Sequence, residues 1–278
     1  MTLSHPAFGA RLRRALLAGH RAGVRGMGSA SARRSDGYEF AELRGYVEGD
    51  DPRRIDWAAT ARAGDLQTRV VLEDRALHLA VALDASHSMR VGRRRSGFDL
   101  ACDAARAWYA AASDDDRCAR IGERAIVLRD VRGRSAALAC ANVTETLGAL
   151  YEPVLRLALA TLSRGTRLLL VSDFHDIDAL APLVRACASR FDVVALVARD
   201  PWYAHLPLRG FVRLRDAESA RTVRVFLDRG ARDRYVRAAA ERETTACAAL
   251  RRAGAHVATL DESDGAEPAI ARALGFAS

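Results

Sequence analysis

The sequence predicts an α/β protein: a doubly wound, mostly parallel sheet covered by helices on both faces, with a β-rich extension on its N-terminal side. Three observations carry this expectation. From residue 77 onward, short runs that are apolar at nearly every position (77–83, 168–171, 193–197) alternate with longer segments of helical periodicity. Strands that lack polar alternation are buried on both faces, as in parallel sheets. Residues 38–73 break the pattern, being polar, rich in Arg and Asp, and punctuated by Gly49-Asp50-Asp51-Pro52 and Ala63-Gly64-Asp65.

The elements follow in order. Phe8, Leu12, Leu16 and Leu17 recur at helical spacing over residues 6–20, and residues 23–35 form a Gly/Ser/Arg-rich linker. A β-like run covers 66–72. The apolar strand 77–83 ends in Asp84, and a helix over 98–112 sets Leu100, Ala104, Ala107 and Trp108 on one face. Two short strands, 118–121 and 125–128, are joined by Gly122-Glu123-Arg124. Helices are expected over 138–150 and 154–162, before the apolar strand 168–171 that ends in Ser172-Asp173. A helix over 179–189, a strand over 193–197, a long helix over 231–253 and a last strand over 256–260 complete the series. The chain thus divides into a basic helix and linker (1–36), an extension (37–75) and the main α/β domain (76–278).

Composition narrows the class. Half of the 278 residues are apolar, enough for a sizeable core. No window approaches the roughly 18–20 uninterrupted apolar residues of a membrane span, and no signal peptide is evident, so the expected compartment is the cytoplasm. The five cysteines (Cys102, Cys118, Cys140, Cys187, Cys247) are odd in number and scattered, which argues against a disulfide framework or a zinc cluster and for buried free thiols. The net charge of +8 comes entirely from arginine, since the chain has no lysine, a bias that fits a GC-rich genome. Residues 1–36 hold seven arginines against Asp36 alone, a net +6, so the remainder is nearly balanced and does not read as a nucleic-acid-binding core. The basic arm reads as a solvated amphipathic helix with a flexible Gly/Ser end.

The candidate site is the loop Asp84-Ala85-Ser86-His87-Ser88. In an extended loop, residues two apart point the same way, so Asp84, Ser86 and Ser88 would offer one carboxylate and two hydroxyls to one point. Hard cations such as Mg²⁺ or Mn²⁺ take oxygen ligands and keep several waters. A cation with few carboxylates bound stays net positive and welcomes a carboxylate from a partner. In open α/β sheets, ligands bind outside the carboxyl ends of the strands, where Asp84 and Asp173 both fall. Asp173 would complete the shell directly or through water. As plain structure, the same residues would cap a helix or turn.

Leu83-Asp84-Ala85-Ser86-His87-Ser88-Met89 resembles the metal-ion-dependent adhesion site of von Willebrand factor A domains, and Val171-Ser172-Asp173 resembles the later Asp-bearing strand end of that fold. Upstream, the run from Tyr46 through Gly49-Asp50-Asp51-Pro52-Arg53-Arg54-Ile55-Asp56-Trp57, followed by Thr60-Ala61-Arg62, is similar to the signature of the family called domain of unknown function 58. The resemblance spans roughly residues 38–262. It implies a von Willebrand factor A-like, Rossmann-like domain with a family-specific N-terminal extension. It also implies association with a MoxR-type AAA+ ATPase in a chaperone-like or complex-remodelling system, and no enzymatic activity. One departure is visible. The adhesion site usually adds a Thr from the loop before the helix that precedes the Asp strand, and Leu150-Tyr151-Glu152-Pro153 has none. Thr144 and Thr146 lie upstream, and Glu152 is the replacement at hand. Asp50, Asp51 and Asp56 alternate with Arg53, Arg54 and Arg62, which suits an ion-paired turn with Ile55 and Trp57 as apolar anchors.

The rival is a metal-dependent hydrolase using Asp84, Asp173 and His175, with Asp176 and Asp178 close by. Acids at that position also cap helices. The G-x-S-x-G elbow is absent, a phosphoaspartyl phosphatase would want Asp where Ser86 stands, and no P-loop or dinucleotide glycine pattern occurs. His78, His87, His205 and His256 are isolated.

Overall fold

A computed structural model describes residues 6–23, 38–47, 52, 55–73, 76–122, 126–142, 151–203, 206–216 and 221–276. The chain divides into two compact units: Met1–Arg25 together with Leu77–Ser278, and Gly26–Ala76.

The smaller unit pairs β1 (Tyr38–Gly45) with β2 (Gln67–Glu73) in an antiparallel ladder that bulges between Phe40 and Glu42. Between them lies a helix, α2 (Trp57–Ala63), where the sequence suggested only β structure. Asp56 explains it: its side chain accepts from the Ala59 amide at 3.0 Å, an N-cap, and Gly64 at φ 78° closes the other end. The Thr60 hydroxyl accepts from the Gln67 amide, which fastens α2 to β2. Trp57, expected as an apolar anchor, instead opens α2 with 68% of its surface exposed. It is the first helical residue after the cap, and its ring turns outward. Of the alternating charges, Asp50, Asp51, Arg53 and Arg54 lie outside the described residues.

The larger unit holds a six-stranded sheet. Its strands are β3 (His78–Leu83), β4 (Arg117–Ile121), β5 (Ile126–Arg132), β6 (Arg167–Ser172), β7 (Asp192–Ala198) and β10 (His256–Leu260). They lie in the order β10-β7-β6-β3-β4-β5, all parallel except β5, which runs antiparallel to β4 at one edge. The doubly wound, mostly parallel sheet read from the sequence is therefore present. On one face Leu79, Val81, Leu83, Leu169, Val171, Val194 and Leu196 join one core cluster. Ala80, Ala82, Leu168, Leu170, Val193, Ala195 and Val197 join the other. β3, β6 and β7 each feed both cores, which is why they read as continuous apolar runs.

α3 (Gly97–Tyr109), α4 (Gly133–Ala141) and α8 (Ala266–Leu274) cover the first face; α5 (Tyr151–Thr161), α6 (Ile177–Ala188) and α7 (Arg229–Arg252) cover the second. Helix α4 begins five residues before the expected start at 138, and residues 143–150 of that expected helix lie outside the described residues. The N-terminal helix α1 (Pro6–Gly23) corrects the reading of the basic arm's helix as solvated, and the expected linker beyond Gly23 lies outside the described residues. Phe8, Leu12 and Leu16 are fully or almost fully buried in the first core cluster, with α3 and α8. Arg13 donates to the buried Asp116 at 2.5 Å and to the Ala111 carbonyl. An apolar stripe this complete gains more from burial than from solvation. A hairpin, β8 (Gly210–Arg215) with β9 (Thr222–Leu227), stands apart from the main sheet.

All five cysteines are free and buried, as composition indicated, and burial pushes the Cys118 thiol up to about 12. Among the described residues, no helix is long and apolar enough to cross a membrane.

Candidate functional site

The chain leaves β3, forms β4 on one side, then returns across β3 to place β6 on its other side. That reversal opens a crevice at the carboxyl ends of β3 and β6, where an open α/β sheet binds its ligands. Register fills it. Leu83 pairs with Val171, and the Asp84 amide donates to the Val171 carbonyl at 2.9 Å. The next residue past this pair on β6 is Ser172, and Asp173 lies one step further.

Asp84 is 3% exposed. One carboxylate oxygen accepts from the Ser86 amide at 2.8 Å, which closes a turn; the other accepts from the Ser172 hydroxyl at 2.5 Å. The loop is thus a turn, not the extended segment expected, and Ser88 opens a single 3-10 turn, Ser88–Arg90. The hydroxyls still meet: Ser86 Oγ and Ser88 Oγ are 3.0 Å apart. Burial raises the Asp84 pKa above its ordinary value, hydrogen bonds from Ser172 and Ser86 pull it back, and the charge of Asp173 raises it again. Among the described residues, Asp84 has no arginine ion pair, in a chain of 43 arginines.

Asp173 is half-buried, and one of its oxygens accepts from the His175 amide at 3.1 Å. The following residue, Phe174, sits at φ 49°, in the left-handed region that disfavours a bulky side chain. Three contacts hold it there. Its amide donates to Ser172 Oγ at 2.8 Å, its ring is buried, and that ring meets the Tyr151 ring edge-on at 6.0 Å. Tyr151 in turn donates to the Ala82 carbonyl at 2.8 Å, so α5, β3 and the end of β6 are locked together. Ser172, Phe174 and Tyr151 escaped the sequence reading as site residues. The available signal was Ser172, the single polar residue closing an otherwise apolar run.

Ser88 and Asp173 reach the wall of a cavity of about 480 Å³, whose far side is formed by Tyr235, Arg242 and Glu243 of α7. Arg199, at the end of β7, also lines it, but its guanidinium is committed. It grips both Glu243 oxygens at 2.9 and 2.8 Å and Asp261 at 3.0 Å, and lies over the Tyr203 ring. Nearby on the chain, Glu262 accepts from three successive amides, Arg93, Arg94 and Arg95, at 3.0–3.1 Å. These bonds, that of Arg95 first, hold the Glu262 carboxyl below its usual range.

The structure therefore gathers Asp84, Ser86 and Ser88, with Ser172 in direct contact and Asp173 close enough to act by charge. Glu152, considered as the missing ligand, lies in the first turn of α5 and is taken up by Arg156 at 2.6 Å on an exposed face. Thr144 and Thr146 lie outside the described residues. His175 is exposed, and among the described residues no three His, Cys, Asp or Glu side chains come together as a metal-holding group, Asp84, Asp173 and His175 included. Asp176 occupies the N-cap position of α6 without a side-chain capping bond. The donor set at Asp84 fits a cation held by one carboxylate and two hydroxyls, with Ser172 fixing the carboxylate.

Residues 42–245 match the family described as Protein of unknown function DUF58. Uncharacterized proteins of Mycobacterium bovis and Mycobacterium tuberculosis are 31% identical over 240 residues, covering 81% of this chain and 74% of theirs. Among solved structures, an aerotolerance-related membrane protein from Bacteroides fragilis is similar at 12% identity and a TM-score of 0.42, covering 72% of this chain and 99% of that one. The conserved hypothetical protein BatB from Bacteroides thetaiotaomicron is similar at 15% identity and a TM-score of 0.40, covering 72% and 98%. A von Willebrand factor type A protein from Catenulispora acidiphila is similar at 16% identity and a TM-score of 0.33, covering 48% and 34%. The chain belongs to the DUF58 family.

Proposed function

We propose that this protein is a non-enzymatic interaction module whose binding face is the carboxyl edge of the sheet around Asp84. There it holds Mg²⁺ or Mn²⁺ through Asp84, Ser86 and Ser88, with Asp173 as an outer partner, and offers the cation to a carboxylate of another protein. The observation that carries this reading is the buried Asp84 carboxylate. It is desolvated, its nearest charged influence is another carboxylate, Asp173, and among the described residues no cationic side chain pairs with it. A buried charge left without a counter-charge is costly, and a divalent cation would supply one. With a single carboxylate bound directly, that cation would keep net positive charge for an acidic ligand. The family supports a MoxR-type AAA+ ATPase as the partner, in a chaperone-like or complex-remodelling system.

Calorimetric titration of Mg²⁺ and Mn²⁺ into wild type and Asp84→Asn tests the site, since the amide keeps the shape and removes the charge. Saturable heat in wild type, absent from the variant, is expected; equal heats in both refute it. Capture of a purified MoxR-type ATPase with and without chelator tests the partner. Capture that is absent, or that the chelator leaves unchanged, refutes that part of the reading.

A further inference from the structure

Between β7 and α7 the chain inserts the hairpin β8–β9. β7 ends at the carboxyl edge of the sheet, and α7 starts there and runs back to β10. The hairpin is therefore tethered to the same edge as Asp84. Its register sets Phe211 opposite Phe226, Arg213 opposite Arg224 and Arg215 opposite Thr222, and alternation puts all six on one face. On the opposite face Val212 and Val225 are half-buried and Leu227 is buried, while Leu214 and Val223 nearer the turn are exposed. The first face is open. Phe211 is 81% and Phe226 59% exposed, with ring centroids 5.0 Å apart, and the three arginines are exposed too.

This arrangement is costly for the protein alone. A two-stranded hairpin is marginal in water. Like charges directly opposite, as at Arg213 and Arg224, destabilise a ladder. No acid lies on this face, and among the described residues none pairs with Arg213, Arg215 or Arg224. Exposed aromatic and arginine side chains are also the types that dominate binding energy once covered.

We propose that the Phe211–Phe226 face of the hairpin docks an acidic segment of a partner protein, one carrying apolar side chains among its carboxylates. The carboxylates would separate the opposed arginines electrostatically, and the apolar groups would cover the phenylalanines. A second copy of this chain does not fit, because arginine would face arginine. Nucleic acid fits less well: outside residues 1–36 the chain nets only +2, and the two rings meet at 60°, not as a flat platform for stacked bases. The proposal rests on the reading of the chain as an interaction module, but not on its cation.

The test is fluorescence anisotropy of the full chain with a short labelled peptide alternating Glu and Phe. Two paired variants are compared, Phe211→Ser with Phe226→Ser, and Arg213→Ser with Arg224→Ser, each checked for unchanged circular dichroism and melting. Wild type should bind the peptide, a Lys–Phe peptide should not bind, and each pair should weaken binding by about tenfold or more. EDTA and Asp84→Asn should leave the affinity unchanged, so loss of the cation site and loss of this face are read separately. No binding, equal binding by the paired variants, or displacement of the peptide by oligouridylate or by phosphatidylglycerol vesicles overturns the proposal.

Discussion

Replacing Gly9 by Ala should destabilise the protein, against the ordinary rule for a helix. Within a helix, Ala is favoured over Gly by about 0.8–1 kcal/mol. In α1, however, a Cβ at position 9 would lie 2.3 Å from the carbonyl oxygen of Ala110 and 3.0 Å from its carbon, both backbone atoms at the end of α3. Neither can swing aside, so α1 must retreat by about an ångström to reach normal contact. That opens the packing of Phe8 and Leu12, both fully buried. Overpacking of this kind costs about 1–3 kcal/mol, which leaves a net loss of up to about 2 kcal/mol after the gain in propensity. Gly230→Ala is the control. It lies in the first turn of α7, and its Cβ would make only ordinary contacts, 3.4 Å to an Arg234 nitrogen and 3.5 Å to an Asp228 oxygen. That variant should gain a few tenths of a kcal/mol, up to about 1. The assay is urea unfolding followed by tryptophan fluorescence, because Trp108 is fully buried in the cluster that holds Phe8. A midpoint for Gly9→Ala raised as much as that of Gly230→Ala would refute the docking of α1 on the main domain.

Three further outcomes follow. Ser172→Ala removes the donor to Asp84 and the acceptor of the Phe174 amide, leaving two buried groups unsatisfied, and should cost about 2–3 kcal/mol in urea unfolding; a loss below about 0.5 kcal/mol would show the site not to be locked as described. Mg²⁺ at neutral pH should raise the melting temperature of wild type over that in EDTA, and an equal rise in Asp84→Asn would remove Asp84 from the cation's ligands. Glu262, held below the ordinary glutamate value of 4.5 by the Arg93–Arg95 amides, contributes stability above that value that is lost as pH falls through its depressed pKa. The NMR shifts of those three amides should therefore titrate with a midpoint below 4.5 in wild type and not at all in Glu262→Gln, while global stability changes by no more than about 0.5 kcal/mol, as for other exposed charge contacts.

What the sequence revealed depended on whether burial was two-sided. β3, β6 and β7 were legible because their residues between the strand ends are apolar toward both faces, each of which is covered, and the helices between them because one stripe must meet the sheet. β8 and β9 were not, since Phe211, Arg213 and Arg224 share a face that the protein does not bury. α2 was hidden among polar residues because its signal is a single cap, Asp56, within a run of alternating charges. α1 was legible as a helix but not as part of the core: its arginines suggested solvent, while the core cluster that Phe8, Leu12 and Leu16 join is otherwise built from residue 77 onward. At the site, the D-x-S-x-S spacing located Asp84, Ser86 and Ser88. The contact with Ser172 could not be read, because it depends on the register of β6 against β3, and a slip of one residue would have presented Asp173 instead.

That register bears on what Asp84 is for. Were Asp84 only a turn residue, its amide contact with Ser86 would suffice, and the outer oxygen would face water at little cost. Here the turn lies under the crevice, so the carboxylate is buried. The Ser172 hydroxyl that meets it is itself fixed by accepting from a strained Phe174, whose ring is wedged against Tyr151. A neutral residue would fit that pocket without the desolvation penalty that raises the Asp84 pKa. Arg side chains abound in the chain, yet among the described residues none pairs with Asp84, whereas Arg167 pairs with Asp192 and Arg199 with Glu243 and Asp261. Among the described residues, the larger unit thus pairs several acids with arginine elsewhere, while the buried Asp84 is held by hydrogen bonds beneath two hydroxyls at the crevice. A buried carboxylate without a cationic partner is a costly arrangement, and it is this cost that the proposed divalent cation would offset.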